Sequence, residues 1–203
     1  MLDAEKVETD PRRHVTTSNQ NEQFDEISDD ILACLPGCTV SLTQQELDRG
    51  LDTLHQAVLR QGLPLPLVIL IEDDNNEANF FRQALKDIGV AVEFMHFRDG
   101  NQALDFFSGR GCYSDRERYP LPQLTVLDIN LTRASGLEIL QQIRTKSHLS
   151  ELVVVALTGS EDVRQIELAR SLDINGWFNK PNRAKDLIQI VRSLLFTWLP
   201  SSN

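Results

Sequence analysis

The period of the hydrophobic positions changes along the chain. From Leu67 to Trp198, short apolar runs alternate with stretches whose apolar residues recur every three or four positions. The runs Leu67–Ile71, Val90–Phe97, Leu124–Leu127, Leu152–Leu157 and Gly176–Asn179 are short and mostly apolar, which predicts strands buried on both faces. The stretches Asn76–Ile88, Asn101–Phe107, Leu137–Arg144, Asp162–Ser171 and Ala184–Trp198 read as amphipathic helices. In the first of them Phe80, Phe81, Ala84, Leu85 and Ile88 are the apolar positions. Five strands alternating with five helices predict an α/β fold. Its sheet is parallel, five-stranded and doubly wound, because helical crossovers are right-handed and cover both faces.

The segment before Leu67 has a different pattern. Thr43 and Glu46 have the spacing of a capping box, and Leu42 and Leu47 that of a hydrophobic staple. Leu47, Leu51, Leu54 and Val58 then fall on one helical face, and Gly62 followed by Pro64 ends the helix. Gly50 weakens it from within. Upstream, Ile31–Leu35 reads as a short apolar turn stopped by Pro36 and Gly37. Residues 31–66 are thus a helical N-terminal extension, either packed on the main domain or serving as a short docking helix. Residues 1–30 hold nine acidic and three basic side chains, -6 of the total -10, with few apolar residues, and predict a disordered acidic tail. Residues 67–199 are the main domain.

Charge and cysteine usage narrow the functional classes. Acidic residues outnumber basic ones 30 to 20, which argues against non-specific nucleic-acid binding. No apolar run approaches the ~20 residues of a membrane span, and the first residues lack the pattern of a signal peptide. Three cysteines predict reduced thiols in a cytoplasm. Cys34 and Cys38 are not at Cys-x-x-Cys spacing, and His14, His55, His96 and His148 are scattered without metal-ligand spacing. No Gly-x-x-x-x-Gly-Lys-[Ser/Thr] loop occurs. The segment 108–123, with Tyr113, Tyr119, Arg110, Arg116 and Arg118, is long for a loop and reads either as a partner contact or as a surface insertion.

The candidate chemistry lies at the carboxyl ends of the strands, where doubly wound sheets collect their functional residues. The first strand runs into Glu72, Asp73 and Asp74, the third into Asp128, the fourth into Thr158-Gly159-Ser160, and the fifth into Lys180-Pro181. Carboxylates gathered at one edge repel unless a cation neutralises them, and an all-oxygen ligand set favours a hard ion such as Mg²⁺. A lysine and a hydroxyl beside that ion suit a phosphoryl group.

These stretches, with 30 residues from Asp128 to Thr158 and 22 from Thr158 to Lys180, resemble the receiver domains of two-component response regulators. The likeness runs from Leu67 to Trp198. Within that family it is most similar to the bacterial single-domain regulators paired with phytochrome-type histidine kinases. The resemblance implies a flavodoxin-like receiver fold and a role for each matched position. Asp128 would be the phosphoacceptor. Glu72, Asp73, Asp128 and the backbone carbonyl of Asn130 would hold Mg²⁺. Lys180 would pair with a phosphoryl oxygen, and Thr158 would donate its hydroxyl to another. Trp177 would be the aromatic switch residue that responds to Thr158, and Pro181 would follow a cis peptide bond. Thr132 departs from the family, which often has proline there.

The implied function is that of a phosphorylation-activated switch. It would be charged by a sensor histidine kinase or a phosphorelay and would signal in the cytoplasm by protein–protein contact, with no enzymatic output. One alternative is a phosphate-independent scaffold on the same fold. Another, a haloacid-dehalogenase-like phosphatase, wants a carboxylate where Asn130 stands. A homodimer is also expected. In the last helix Leu187, Ile190, Val191, Leu194 and Trp198 can face the sheet, leaving Ile188, Leu195 and Leu199 as a second stripe for a partner copy. The competing expectation is that residues 31–66 fold back over that stripe.

Overall fold

The computed structural model describes residues 43–62 and 64–199. Helix α1 (Gln44–Gln61) starts as its capping box requires. The Glu46 N–H donates to Thr43 Oγ1 at 3.3 Å, and the Thr43 N–H donates to the Glu46 carboxylate at 2.8 Å. Gly62 ends the helix in the left-handed conformation, φ 61°, a region that favours glycine. The Leu42 of the expected staple, the Ile31–Leu35 turn, the acidic tail and Cys34 and Cys38 lie outside the described residues.

After α1 the chain alternates strand and helix. The elements are β1 (Leu67–Ile71), α2 (Asn75–Ile88), β2 (Glu93–Phe97), α3 (Gly100–Phe107), β3 (Leu124–Leu127), α4 (Gly136–Arg144), β4 (Val154–Thr158), α5 (Val163–Ser171), β5 (Gly176–Asn179) and α6 (Ala184–Trp198). All pairings are parallel and the strand order is β2-β1-β3-β4-β5. The chain steps from β1 to β2 on one side and then returns to β3 on the other, so the winding reverses between β1 and β3. Side chains of β1, β3 and β4 are buried on both faces. One cluster joins Val68, Leu70 and Val126 to Phe81 of α2 and Leu194 of α6. The other joins Ile69, Ile71 and Ala156 to Phe106 of α3 and Ile139 of α4.

Three strand boundaries differ from the sequence reading, one of them the end of β4 at Thr158 rather than Leu157. β2 begins at Glu93 rather than Val90. β4 begins at Val154 rather than Leu152, because the Leu152 N–H closes a turn onto the Leu149 carbonyl. Apolar Leu149 and Leu152 are buried by that turn, and burial without a ladder is what periodicity alone misassigns.

The second stripe of α6 is not a free surface, which corrects the expectation on which the homodimer was based. Leu195 and Leu199 are 0% and 3% exposed. They share one apolar cluster with Leu47 and Leu51 of α1, and Ile188 packs against that cluster. Helix α1 therefore lies on α6. Burial of Leu47 and Leu51 contributes about 1.5–3 kcal/mol each to holding it there. Arg192 Nε and Asp48 Oδ1 pair at 3.1 Å across the same contact. Gly50 has a reason that propensity could not supply: a Cβ at that position would stand 2.2 Å from Cε2 of Phe196, so the ring as placed leaves no room for a larger residue.

The long segment after α3 is a packed insertion. It contains a short 3₁₀ turn, Gly111–Tyr113. The Arg116 guanidinium donates to the carbonyls of Phe107 and Tyr119 at 2.6 and 3.2 Å, and Tyr113 stacks edge-on against Phe97, Phe106 and Tyr119. Cys112 is an exposed free thiol.

Candidate functional site

The register of the sheet brings the strand-end residues together. Ile71 stands opposite Leu127 and the Asp128 N–H donates to the Ile71 carbonyl at 2.9 Å, so the residues that follow, Glu72 and Asp128, leave the sheet side by side. Glu72, Asp73 and Asp128 each offer a carboxylate oxygen, and these oxygens lie within 4.8 Å of one another. Asp74, the third acid of the run, does not join them. Its side chain caps α2, accepting the Asn76 N–H at 2.6 Å and the Glu77 N–H at 3.4 Å.

Lys180 arrives from the end of β5. Its N–H donates to the Thr158 carbonyl at 2.9 Å, which aims the side chain across the top of the sheet. Its Nζ donates to Glu72 Oε2 at 2.7 Å and Asp128 Oδ2 at 2.8 Å, and also pairs with Glu77 Oε2. All peptide bonds among the described residues are trans, including Lys180–Pro181, so the expected cis bond is absent. Trans is the favoured form of an X–Pro bond by about 0.5–1 kcal/mol. Thr158 is fully buried at the end of β4 and its Oγ1 accepts the Ser160 N–H at 3.3 Å. Trp177 is half-buried on β5 opposite Ala156, with no partner for its buried indole N–H. Asn130 is exposed, and its N–H donates to Asp128 Oδ1 at 3.0 Å.

The electrostatics are those of an under-neutralised anion cluster. Glu72 is 3% exposed, and burial pushes its carboxyl up to about 7, against the pull of Lys180 and with a further push from Asp128. Burial alone would lower Lys180, but its hydrogen bonds to Asp128, Glu72 and Glu77 outweigh that and hold its ammonium above the usual lysine range. Asp73 is held below the usual carboxylate range. Burial opposes this, but the Thr132 hydroxyl and N–H both donate to its Oδ2, at 2.5 and 2.8 Å. One lysine faces four carboxylates, and the excess charge is what a divalent cation would neutralise. An open cleft of about 510 Å³, lined by Asp73, Asp74, Arg98, Asp99, Thr132 and Arg133, adjoins the cluster.

Four contributors were missed by the sequence reading. Glu77 reaches Lys180 because capping by Asp74 starts α2 at Asn75 and sets Glu77 in its first turn. Thr132 grips Asp73 across 59 residues of sequence. His96 Nε2 lies 2.7 Å from the Glu72 carbonyl oxygen. Gly136 opens α4 directly beneath the loop that follows β3, where a Cβ would come within 2.3 Å of the Asp128 carbonyl oxygen. Only Gly136, after Ser135 at a helix start, had a local signal in the sequence.

A doubly wound parallel sheet with acidic groups, a hydroxyl and a lysine converging at its carboxyl edge defines a class of proteins that can hold a divalent cation and a phosphoryl group side by side. Residues 68–192 match the family model described as the response regulator receiver domain, and the chain belongs to that family. Over 136 residues it is 30% identical to the response regulator Rcp1 of Synechocystis sp., covering 67% of this chain and 90% of that protein. It is also 30% identical over 138 residues to the probable methanogenesis regulatory protein FilR2 of Methanothrix harundinacea, covering 66% and 83%. Among solved structures, it resembles the Mn²⁺-bound form of Rcp1 with a TM-score of 0.60 at 29% identity, covering 68% of this chain and 97% of that one. It resembles the phosphorylated cyanobacterial phytochrome response regulator RcpA with a TM-score of 0.63 at 27% identity, with the same coverage. The chain is a response regulator of the phosphorylation-activated kind, and Glu72, Asp73 and Asp128 form a candidate divalent-metal site. No described helix is long and apolar enough to cross a membrane.

Proposed function

We propose that Asp128 is the phosphoacceptor of this regulator, charged by a histidine kinase or a phosphorelay protein in the cytoplasm. The observation that carries the reading is the convergence of Glu72, Asp73, Asp128 and Lys180 on one point at the reversal of the sheet. An Asp128 oxygen attacks phosphorus in line, the P–O bond forms, and the P–N bond of the donor's phosphohistidine breaks with the imidazole as leaving group. Glu72, Asp73, Asp128 and the Asn130 carbonyl would hold Mg²⁺, which supplies charge neutralisation and orientation when bound. Lys180, already donating to Asp128 Oδ2, is oriented to pair its ammonium with a phosphoryl oxygen through a charge-assisted hydrogen bond. The Thr158 hydroxyl donates to another, and its movement frees space for Trp177 to turn inward.

The chain transmits its state by protein–protein contact. The described residues comprise the receiver and α1, with no catalytic fold besides. A homodimer at this end of the sheet uses α5 and β5, because α1 covers the stripe of α6 on which the dimer was first expected. Val163 and Leu168 of α5 are 63% and 48% exposed and support that reading. Acetyl phosphate with Mg²⁺ should add one phosphoryl group to the full chain by intact-mass spectrometry, and Asp128→Asn should abolish it. Equal labelling of the Asn variant would sink the assignment.

A further inference from the structure

We propose that Thr132 is a positioning residue for the metal site: its two donors pin Asp73 Oδ2, so that Asp73 offers its other oxygen to the divalent ion. This rests on the reading of Glu72, Asp73 and Asp128 as the metal-binding carboxylates. Asp73 stands at the open end of β1, half-exposed, where an aspartate side chain is ordinarily free to rotate. Thr132 comes from the loop after Asp128 and restrains it with both of its donors. The main-chain N–H reaches Oδ2 at 2.8 Å and the hydroxyl reaches the same atom at 2.5 Å.

A carboxylate oxygen has two in-plane lone-pair directions, and two donors on the one oxygen are enough to occupy them. Oδ1 is left as the oxygen for an ion. The neighbouring cations do not perform this task. Arg98 Nη2 donates to the Asp73 main-chain carbonyl at 3.5 Å, and Arg133 pairs with Asp99. Proline, common at this position in the family, has no N–H and no hydroxyl, so the clamp is a property of this chain's threonine. It also ties the loop after β1 to the loop that carries Asp128, so that placing one places the other. Outer-shell partners of metal ligands act in this way, by orienting the ligand before the ion arrives. Thr132 is exposed and packs in no apolar cluster, so it contributes little to the metal-free fold.

The test is titration calorimetry of the full chain with Mg²⁺ and with Mn²⁺, on the parent and on Thr132→Val, Thr132→Ser and Asp73→Asn, with metal-free melting in parallel. Thr132→Val should weaken binding about tenfold. Its metal-free melting temperature should stay within about 2 °C of the parent. Thr132→Ser, which keeps both donors, should bind within about twofold of the parent. Affinity in Thr132→Val that is unchanged or tighter overturns the proposal, as does a serine variant as impaired as the valine one. A parent that binds neither ion, or an Asp73→Asn variant that binds like the parent, overturns the metal-site reading itself and the proposal with it.

Discussion

Replacing Gly50 by alanine tests where the N-terminal helix lies, and with it which face of α6 a partner can reach. Position 50 is interior to α1, where alanine is favoured over glycine by about 1 kcal/mol. On helix propensity alone the substitution stabilises. The docked geometry opposes it: the new Cβ would stand 2.2 Å from Phe196 Cε2 and 2.7 Å from Cδ2, when ordinary contact begins near 3.4 Å. Either the half-buried Phe196 ring rotates out or α1 rides up and loosens the burial of Leu47 and Leu51. Overpacking of this kind costs about 1–3 kcal/mol. The net effect of Gly50→Ala is therefore a loss of about 0–2 kcal/mol in the parent. In a Phe196→Ala background the obstruction is gone, and the same substitution should stabilise by about 1 kcal/mol. Urea unfolding of the four proteins closes a double-mutant cycle with a coupling energy of about 1–3 kcal/mol. Stabilisation by the same amount in both backgrounds would mean that α1 does not lie on Phe196, and the α6 stripe would again be open to a second copy.

Two further predictions concern the site. Burial raises the Glu72 carboxyl to about 7 in the folded chain from 4.5, so the fold favours its protonated form; the stabilisation is complete below about 4.5 and is lost as pH rises through 7. In chelator, the unfolding free energy of the parent from urea titration should fall over that window by an amount on the order of 3 kcal/mol, and Glu72→Gln should flatten the fall; equal slopes would refute the assignment. Gly136→Ala should destabilise by about 2 kcal/mol or more and slow labelling of Asp128, because the added Cβ meets two backbone atoms, the Asp128 carbonyl oxygen at 2.3 Å and Ile129 Cα at 2.7 Å, which cannot rotate away. A parental melting temperature would show that α4 does not start against the loop that carries Asp128.

Much of this protein was legible before any coordinates. The alternation of apolar runs with helical periodicity dictates the α/β order, because parallel strands buried on both faces leave continuous hydrophobic segments. The strands β3 and β5 and helix α6 have the bounds read from the chain. The capping box of Thr43 and Glu46 is local, so its geometry followed from four residues. Glu72, Asp73, Asp128 and Lys180 were nameable because they follow strands, and strand ends in such a sheet share one edge. What the chain could not disclose are the contacts between segments distant in sequence. Asp74 looks like its acidic neighbours until helix α2 turns it into a cap. Thr132 is an unremarkable loop residue until folding sets its two donors against Asp73. The stripe Ile188, Leu195 and Leu199 has the same spacing whether it faces water or another helix, and only the packing of α1 decides that it is covered. Periodicity records which side of an element is apolar. Which surface meets that side depends on distances through space, and those exist only in the folded chain.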